Sequence, residues 1–157
     1  MPLERKGQVR GQGRHIAVVV ARFNEEVTSA LSKGAQETLL KNGVASDDIH
    51  IHHVPGSFEL PTIAAKLARS RQYDAVVCVG AVIRGETQHH EYISHAVAQS
   101  LAQIGAETGV PVLLGVVTTD TWEQAVDRSG GAQGNRGADA ALAALEMIDL
   151  LKQIGGD

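Results

Sequence analysis

The chain has little with which to cross-link itself, grip a nucleic acid or span a membrane. It holds one cysteine, Cys78, so no intramolecular disulfide can form. That thiol lies in the apolar run Ala75 to Ala81, where cysteine acts as a small core residue, and a reducing, cytoplasmic setting is expected. Fourteen Lys and Arg face eighteen Asp and Glu, a net charge of −4. Phosphate backbones are bound by clustered cations, so a small molecule is a better partner than a nucleic acid. No apolar run approaches the ~20 residues that cross a bilayer, and no charged-then-apolar leader opens the chain. Aromatic residues are only 3%. The core must therefore be built from Val, Ile, Leu and Ala, and each aromatic is informative by position.

What is present fits one domain over residues 1–157, since a chain of this length buries a single core. Met1 to Gly13 has three glycines, several charges and no periodicity, and reads as an extended arm or a disordered tail. From His15 onward, short β-branched runs alternate with longer helical segments, the pattern of βαβ units on a parallel sheet. Strands are expected at His15 to Ala21, Ile49 to Val54, Ala75 to Ala81 and Val112 to Val117. Continuous apolarity in the last two implies burial on both faces. Asn24 can cap a helix with the stripe Val27, Ala30, Leu31, Ala35, Thr38 and Leu39, ended by Gly43. Pro61 suits the first turn of a second helix. A third runs from about His90 to Thr108 with Tyr92, Ala96, Val97, Leu101 and Ile104 inward. Thr121 and Gln124 form a capping box for a short helix to about Arg128. A glycine-rich loop, Gly130 to Gly137, precedes an Ala- and Leu-rich helix to about Ile154.

Ligands of open α/β sheets bind beyond the carboxyl ends of the strands, where loops meet helix N-termini with unpaired N–H groups. The loops there are Arg22 to Asn24, Pro55 to Glu59, Val82 to His90, and Thr118 to Asp120. Phe23 and Phe58, the only phenylalanines, both fall in them. Each ring could plug the end of the core or stack on a heterocycle, and their coincidence at one rim favours a ligand. Glu59 could accept hydrogen bonds from a polyol or simply favour the helix start. Arg84 to His89 leads into a helix whose amides could cradle a phosphate. His89 could move protons near neutral pH or be an ordinary surface histidine.

Other motifs fail on spacing. His90 and His95 are one residue too far apart for HExxH, and five residues turn a helix about 140° beyond a full circle. Gly130 to Gly137 lacks the Gly-Lys-Ser/Thr ending of a P-loop, and Gly11-Gln12-Gly13 precedes a strand rather than following one. His50, His52 and His53 share a strand, but no Cys or close carboxylate completes a metal set.

Four motifs in order now stand out: Ala21-Arg22-Phe23-Asn24, Val54 to Pro61, Val79 to Thr87, and Gly134-Asn135-Arg136-Gly137. From about His15 the chain resembles the lumazine synthases. The resemblance implies a flavodoxin-like three-layer α/β/α sandwich with a four-stranded parallel sheet and an extended N-terminal arm. It implies condensation of 5-amino-6-(D-ribitylamino)uracil with 3,4-dihydroxy-2-butanone 4-phosphate, with no metal or other cofactor. Phe23 would stack on the pyrimidine, and Ser57, Phe58 and Glu59 would hold the ribityl chain. Ala81, Val82 and Ile83 would present backbone groups to the pyrimidine edge. Glu86 and Thr87 would give amides to the phosphate, Arg128 its guanidinium, and His89 would transfer protons.

The resemblance also implies a homopentamer with sites between subunits, the arm adding to a neighbour's sheet, and in many members an icosahedral shell. Leu114 stands where many relatives have a phenylalanine contributed by a neighbouring subunit, so stacking on the second ring face is weaker here. Ala132 and Arg136 replace frequent lysines. Two other functions suit the same fold: an archaeal-type riboflavin synthase, or a noncatalytic flavin- or lumazine-binding shell protein.

Overall fold

Every residue of the first strand, β1 (Ile16–Ala21), is buried in the computed structural model, which describes residues 1–155. Side chains alternate across a strand. Ile16, Val18 and Val20 therefore join one core, and Ala17, Val19 and Ala21 the other. Beside β1 run β2 (Ile49–Val54) and β3 (Ala75–Ile83), with β4 (Val112–Thr119) outermost, all parallel in the order β2-β1-β3-β4. Helices α1 (Glu25–Lys41) and α5 (Arg136–Ile154) cover one face, whereas α2 (Leu60–Arg69) and α3 (His89–Thr108) cover the other. This is the three-layer α/β/α fold. Each fully buried leucine, such as Leu31 on α1 or Leu145 on α5, contributes about 1.5–3 kcal/mol.

The strand order positions the site. After β1 the chain steps outward to β2, then crosses back through α2 to place β3 on the opposite side of β1. Strand order thus reverses between β1 and β3, and the loops leaving their carboxyl ends diverge to form a crevice.

Four local readings need correction. Asn24 holds the position before α1, but in the left-handed conformation (φ 65°) and with no side-chain capping bond. Its carbonyl accepts from Val27 and Thr28, and its side chain turns to β3 instead. On α3 the buried stripe is His90, Val97, Leu101 and Ile104, while Tyr92 is exposed and Ala96 also faces out. β3 is sandwiched as expected, but β4 is only partly covered, being the sheet's edge, and Leu114 is half exposed. The Gly130 to Gly137 segment is not all loop. Ser129–Gly131 (β5) and Gly134–Asn135 (β6) form a small antiparallel hairpin, and α5 begins at Arg136.

The short helix α4 (Trp122–Asp127) has the full capping box. Thr121 Oγ1 accepts from Gln124 N at 3.1 Å, and Gln124 Oε1 accepts from Thr121 N at 3.2 Å. Asn135 caps α5 by accepting from Ala138 N at 3.0 Å, and donates to Ala30 O at 3.0 Å, which ties α5 to α1. The two helices meet so closely that a Cβ on Gly137 would collide with the Leu31 carbonyl. Gly137→Ala is therefore expected to cost about 1–3 kcal/mol, read as a lower thermal midpoint. An unchanged midpoint would show that the helices part freely.

Burial pushes the Cys78 thiol up to about 12, so it is a protonated core residue. Among the described residues no helix is long and apolar enough to cross a membrane.

The N-terminal arm joins no strand among the described residues. It lies along its own chain's α5, with Gln8 N donating to Asp149 Oδ2 at 2.7 Å and Gln153 donating to Lys6 O at 2.7 Å. The Gln8 bond, then one from Gln153, hold the Asp149 carboxyl below the usual carboxylate range, with Arg10 and Arg14 adding smaller pulls against desolvation. A carboxyl depressed by folding stabilises the arm above its unfolded value of about 4, and that contribution is lost as pH falls through the lower folded value. Below that range the Gln8 amide shift is expected to move toward its unstructured position. If it holds in acid, the carboxylate does not anchor the arm.

Candidate active site

Backbone hydrogen bonds knit the loops at the carboxyl end of the sheet together. Arg22 N donates to Val54 O at 2.8 Å and Phe23 N to Pro55 O at 3.1 Å, so the two phenylalanine-bearing loops are tied side by side. Asn24 Nδ2 donates to Ala81 O at 3.2 Å, joining the first loop to the end of β3. Arg84 N donates to Thr119 O at 2.9 Å and joins β3 to β4. The left-handed turn at Asn24 is what aims its amide across the crevice.

Within this frame lies a cavity of about 400 Å³, lined by Phe23 and Asn24, Gly56 to Glu59, Ala81 to Ile83, Gly85, Thr87, His89, His90 and Ile93. Nine expected site residues thus share one wall: Phe23, Ser57, Phe58, Glu59, Ala81, Val82, Ile83, Thr87 and His89. Phe23 and Phe58 are 72% and 63% exposed, so neither plugs the core and both rings are free to meet a ligand. Ser57 and Glu59 sit in a 3-10 turn, Ser57–Glu59, that leads into α2, where Pro61 occupies the first turn. Ser57 is buried, and its Oγ packs over Gly80, where a Cβ would come within 2.5 Å of it. That oxygen has no hydrogen-bond partner among the described residues. A buried hydroxyl left unmet costs about 1–3 kcal/mol, a deficit that a polar ligand or water removes.

The rim at the start of α3 is more open. Glu86, Thr87 and His89 are exposed at the start of α3, and Thr87 Oγ1 accepts from His89 N at 3.2 Å. Among the described residues the Glu86 and Thr87 N–H groups meet no backbone acceptor and can face an anion beside the helix N-terminus. A purely polar rim of this kind would suit many anions.

Three expected residues lie elsewhere. Glu86 is not on the cavity wall. Arg128 is half-buried at the end of α4, and its Nη1 donates to Gln124 O at 3.0 Å. Leu114 lines a separate groove with Ser94, His95, Gln99 and Val116. Conversely, Asn24 and His90 line the cavity although sequence reasoning gave them no site role. His90 was legible only as the direct neighbour of His89 at a helix start.

A family model for 6,7-dimethyl-8-ribityllumazine synthase matches residues 13–152. The chain belongs to this family. The match takes in every residue of the cavity wall and the three outlying residues, Glu86, Leu114 and Arg128. A 6,7-dimethyl-8-ribityllumazine synthase of Syntrophus aciditrophicus (strain SB) is 47% identical over 154 residues, covering 98% of this chain and 100% of that relative. Within a lumazine synthase framework, the β2 histidines stand apart from the cavity. His50 Nδ1 meets the Tyr73 hydroxyl at 2.7 Å, and burial, then its neighbours His50 and His53, lower the pKa of His52. Among the described residues no three His, Cys, Asp or Glu side chains could hold a metal ion.

Proposed function

We propose that the cavity is where this chain condenses 5-amino-6-(D-ribitylamino)uracil with 3,4-dihydroxy-2-butanone 4-phosphate, giving 6,7-dimethyl-8-ribityllumazine, phosphate and two waters. The observation that carries the proposal is convergence: an aromatic platform, a carboxylate, an orphaned hydroxyl, strand-end backbone and an imidazole surround one space. Its volume suits a ligand of pyrimidine size.

Phe23 stacks on the pyrimidine. Ala81 to Ile83 meet its edge through the backbone, while Ser57, Phe58 and Glu59 hold the ribityl chain. The ketone phosphate lies toward Glu86 and Thr87. The primary amine attacks the ketone and water leaves. A carbon-bound proton is then removed as phosphate departs, and ring closure by the second amine releases the second water. The protein supplies no nucleophile, so positioning and proton transfer carry the rate. His89 moves the protons, alternating between donor and acceptor. Arg128 receives the phosphate through its planar fork.

Arg128 and Leu114 lie off the wall of their own chain's cavity, which supports a ring in which they reach the cavity of an adjacent subunit. Exposed Trp122, Val126, Met147 and Leu151 give such a ring apolar surface to bury. A homopentamer in a reducing cytoplasm is the assembly we favour, with a shell of pentamers as its larger form. Sedimentation distinguishes the two.

The testing experiment is product fluorescence from the two purified substrates. Lumazine formed only when both are present is the expected result. Riboflavin formed from lumazine alone would mark an archaeal-type riboflavin synthase instead, and binding without conversion a noncatalytic carrier.

A further inference from the structure

His90 is a titratable residue of the cavity wall that has no part in the mechanism above. It sits in the first turn of α3 and is only 8% exposed. Its Nδ1 is buried with no hydrogen-bond partner among the described residues. Its Nε2 lies 4.0 Å from Asp120 Oδ1, the same oxygen that stands 4.0 Å from Arg84 Nη1. Asp120 is itself held in place, since its N–H donates to Gln124 Oε1 at 2.9 Å, an extension of the α4 capping box.

We propose that His90 is a substrate-contacting residue whose Nδ1 accepts a hydrogen bond from an N–H or O–H group of the ribitylaminopyrimidine, with Asp120 fixing the tautomer that leaves Nδ1 free to accept. The inference rests on reading the cavity as the pyrimidine site.

A separation of 4.0 Å is too long for a hydrogen bond, yet a carboxylate facing Nε2 favours the tautomer carrying its proton there. Nδ1 then presents a bare lone pair. An acceptor buried without a donor is disfavoured, and the described residues provide no donor to meet it. The proposed occupant carries amine, ring N–H and hydroxyl donors. The two adjacent histidines thereby divide the work. His89, exposed at the mouth, is free to exchange protons, whereas buried His90 holds one orientation and selects for a donor. His52, whose Nε2 is likewise unpartnered, lies on the edge strand and lines no part of the cavity.

The test is calorimetric titration with 5-amino-6-(D-ribitylamino)uracil alone, together with steady-state KM for each substrate. His90→Phe keeps a flat ring but no acceptor, and is expected to bind the pyrimidine about tenfold more weakly. His90→Asn returns an acceptor oxygen near the Nδ1 position and is expected to recover affinity to within about threefold of wild type. Asp120→Asn alters a side chain that is 67% exposed, so folding is spared, and a loss of about threefold is expected. KM for the ketone phosphate stays unchanged in all three. Wild-type affinity in His90→Phe, or equal losses in the Phe and Asn variants, overturns the proposal. If neither His90 variant folds, Asp120→Asn decides: weaker pyrimidine binding supports it and full affinity overturns it. A wild-type protein that does not bind the pyrimidine defeats the reading of the cavity itself, which is a separate failure.

Discussion

His89→Ala is expected to slow lumazine formation by about 10²- to 10⁴-fold, the usual contribution of a positioned general acid–base. Pyrimidine affinity should stay within about twofold, because Phe23 and the Ser57–Glu59 turn are untouched. The asymmetry follows from where His89 sits. It opens α3 on the cavity wall with an exposed ring, and Thr87 anchors its backbone N–H rather than its imidazole. Tyr92 lies edge-on, with ring centroids 6.5 Å apart, which limits the ring's sweep without consuming a nitrogen. Both nitrogens thus remain available for the successive protonations of imine formation, phosphate loss and ring closure. Single-turnover rates set against titrated affinity separate the two effects. A variant as fast as wild type would remove His89 from the mechanism.

The second large effect concerns Arg128. Removing a guanidinium that makes charge-assisted bonds to phosphate costs about 1.5–3 kcal/mol, so Arg128→Ala should raise KM for the ketone phosphate by roughly 10- to 100-fold. Pyrimidine binding should not change. Because Arg128 does not line its own chain's cavity, it is expected to act in the cavity of a neighbour. That geometry allows complementation. When equal amounts of His89→Ala and Arg128→Ala subunits are unfolded and reassembled together, about a quarter of the sites in random rings combine an intact His89 with an intact Arg128. Activity should return to roughly that fraction of wild type. If both residues served one subunit's site, every site would stay defective and mixing would restore nothing.

How much was legible in the chain itself varied with the physics of each segment. The central strands β1 and β3 announce themselves by unbroken β-branched runs, because a strand covered on both faces has no polar position to spare. The loops were legible for a related reason. Phe23 and Phe58 interrupt turn sequences where large apolar rings have no packing role, and both proved exposed at one cavity. β4 misled because an apolar edge strand has the same sequence pattern as a central one. Leu114 on that strand is half exposed.

The phase of α3 was misjudged since Tyr92 ranks as apolar and His90 as polar, yet the packing puts His90 inward with Val97, Leu101 and Ile104. Burying an imidazole goes against hydrophobic ranking, and such a local conflict tends to mark a site. The hairpin of β5 and β6 is too short and glycine-rich to carry a strand period. Asn24 has the composition of a cap, but composition does not reveal whether its amide will serve its own helix or reach across to Ala81. No local pattern marks the outlying positions of Arg128 and Leu114; only the family resemblance, which implies sites between subunits, bore on them.

The central claim is that one cavity at the carboxyl end of the sheet receives the ribitylaminopyrimidine. Crystals soaked with 5-amino-6-(D-ribitylamino)uracil test it directly. Density for the ring against Phe23, with the ribityl chain running along Ser57 to Glu59, is the predicted result. Density for the ligand in the groove beside His95, Gln99 and Leu114, with that cavity left empty, would contradict the account.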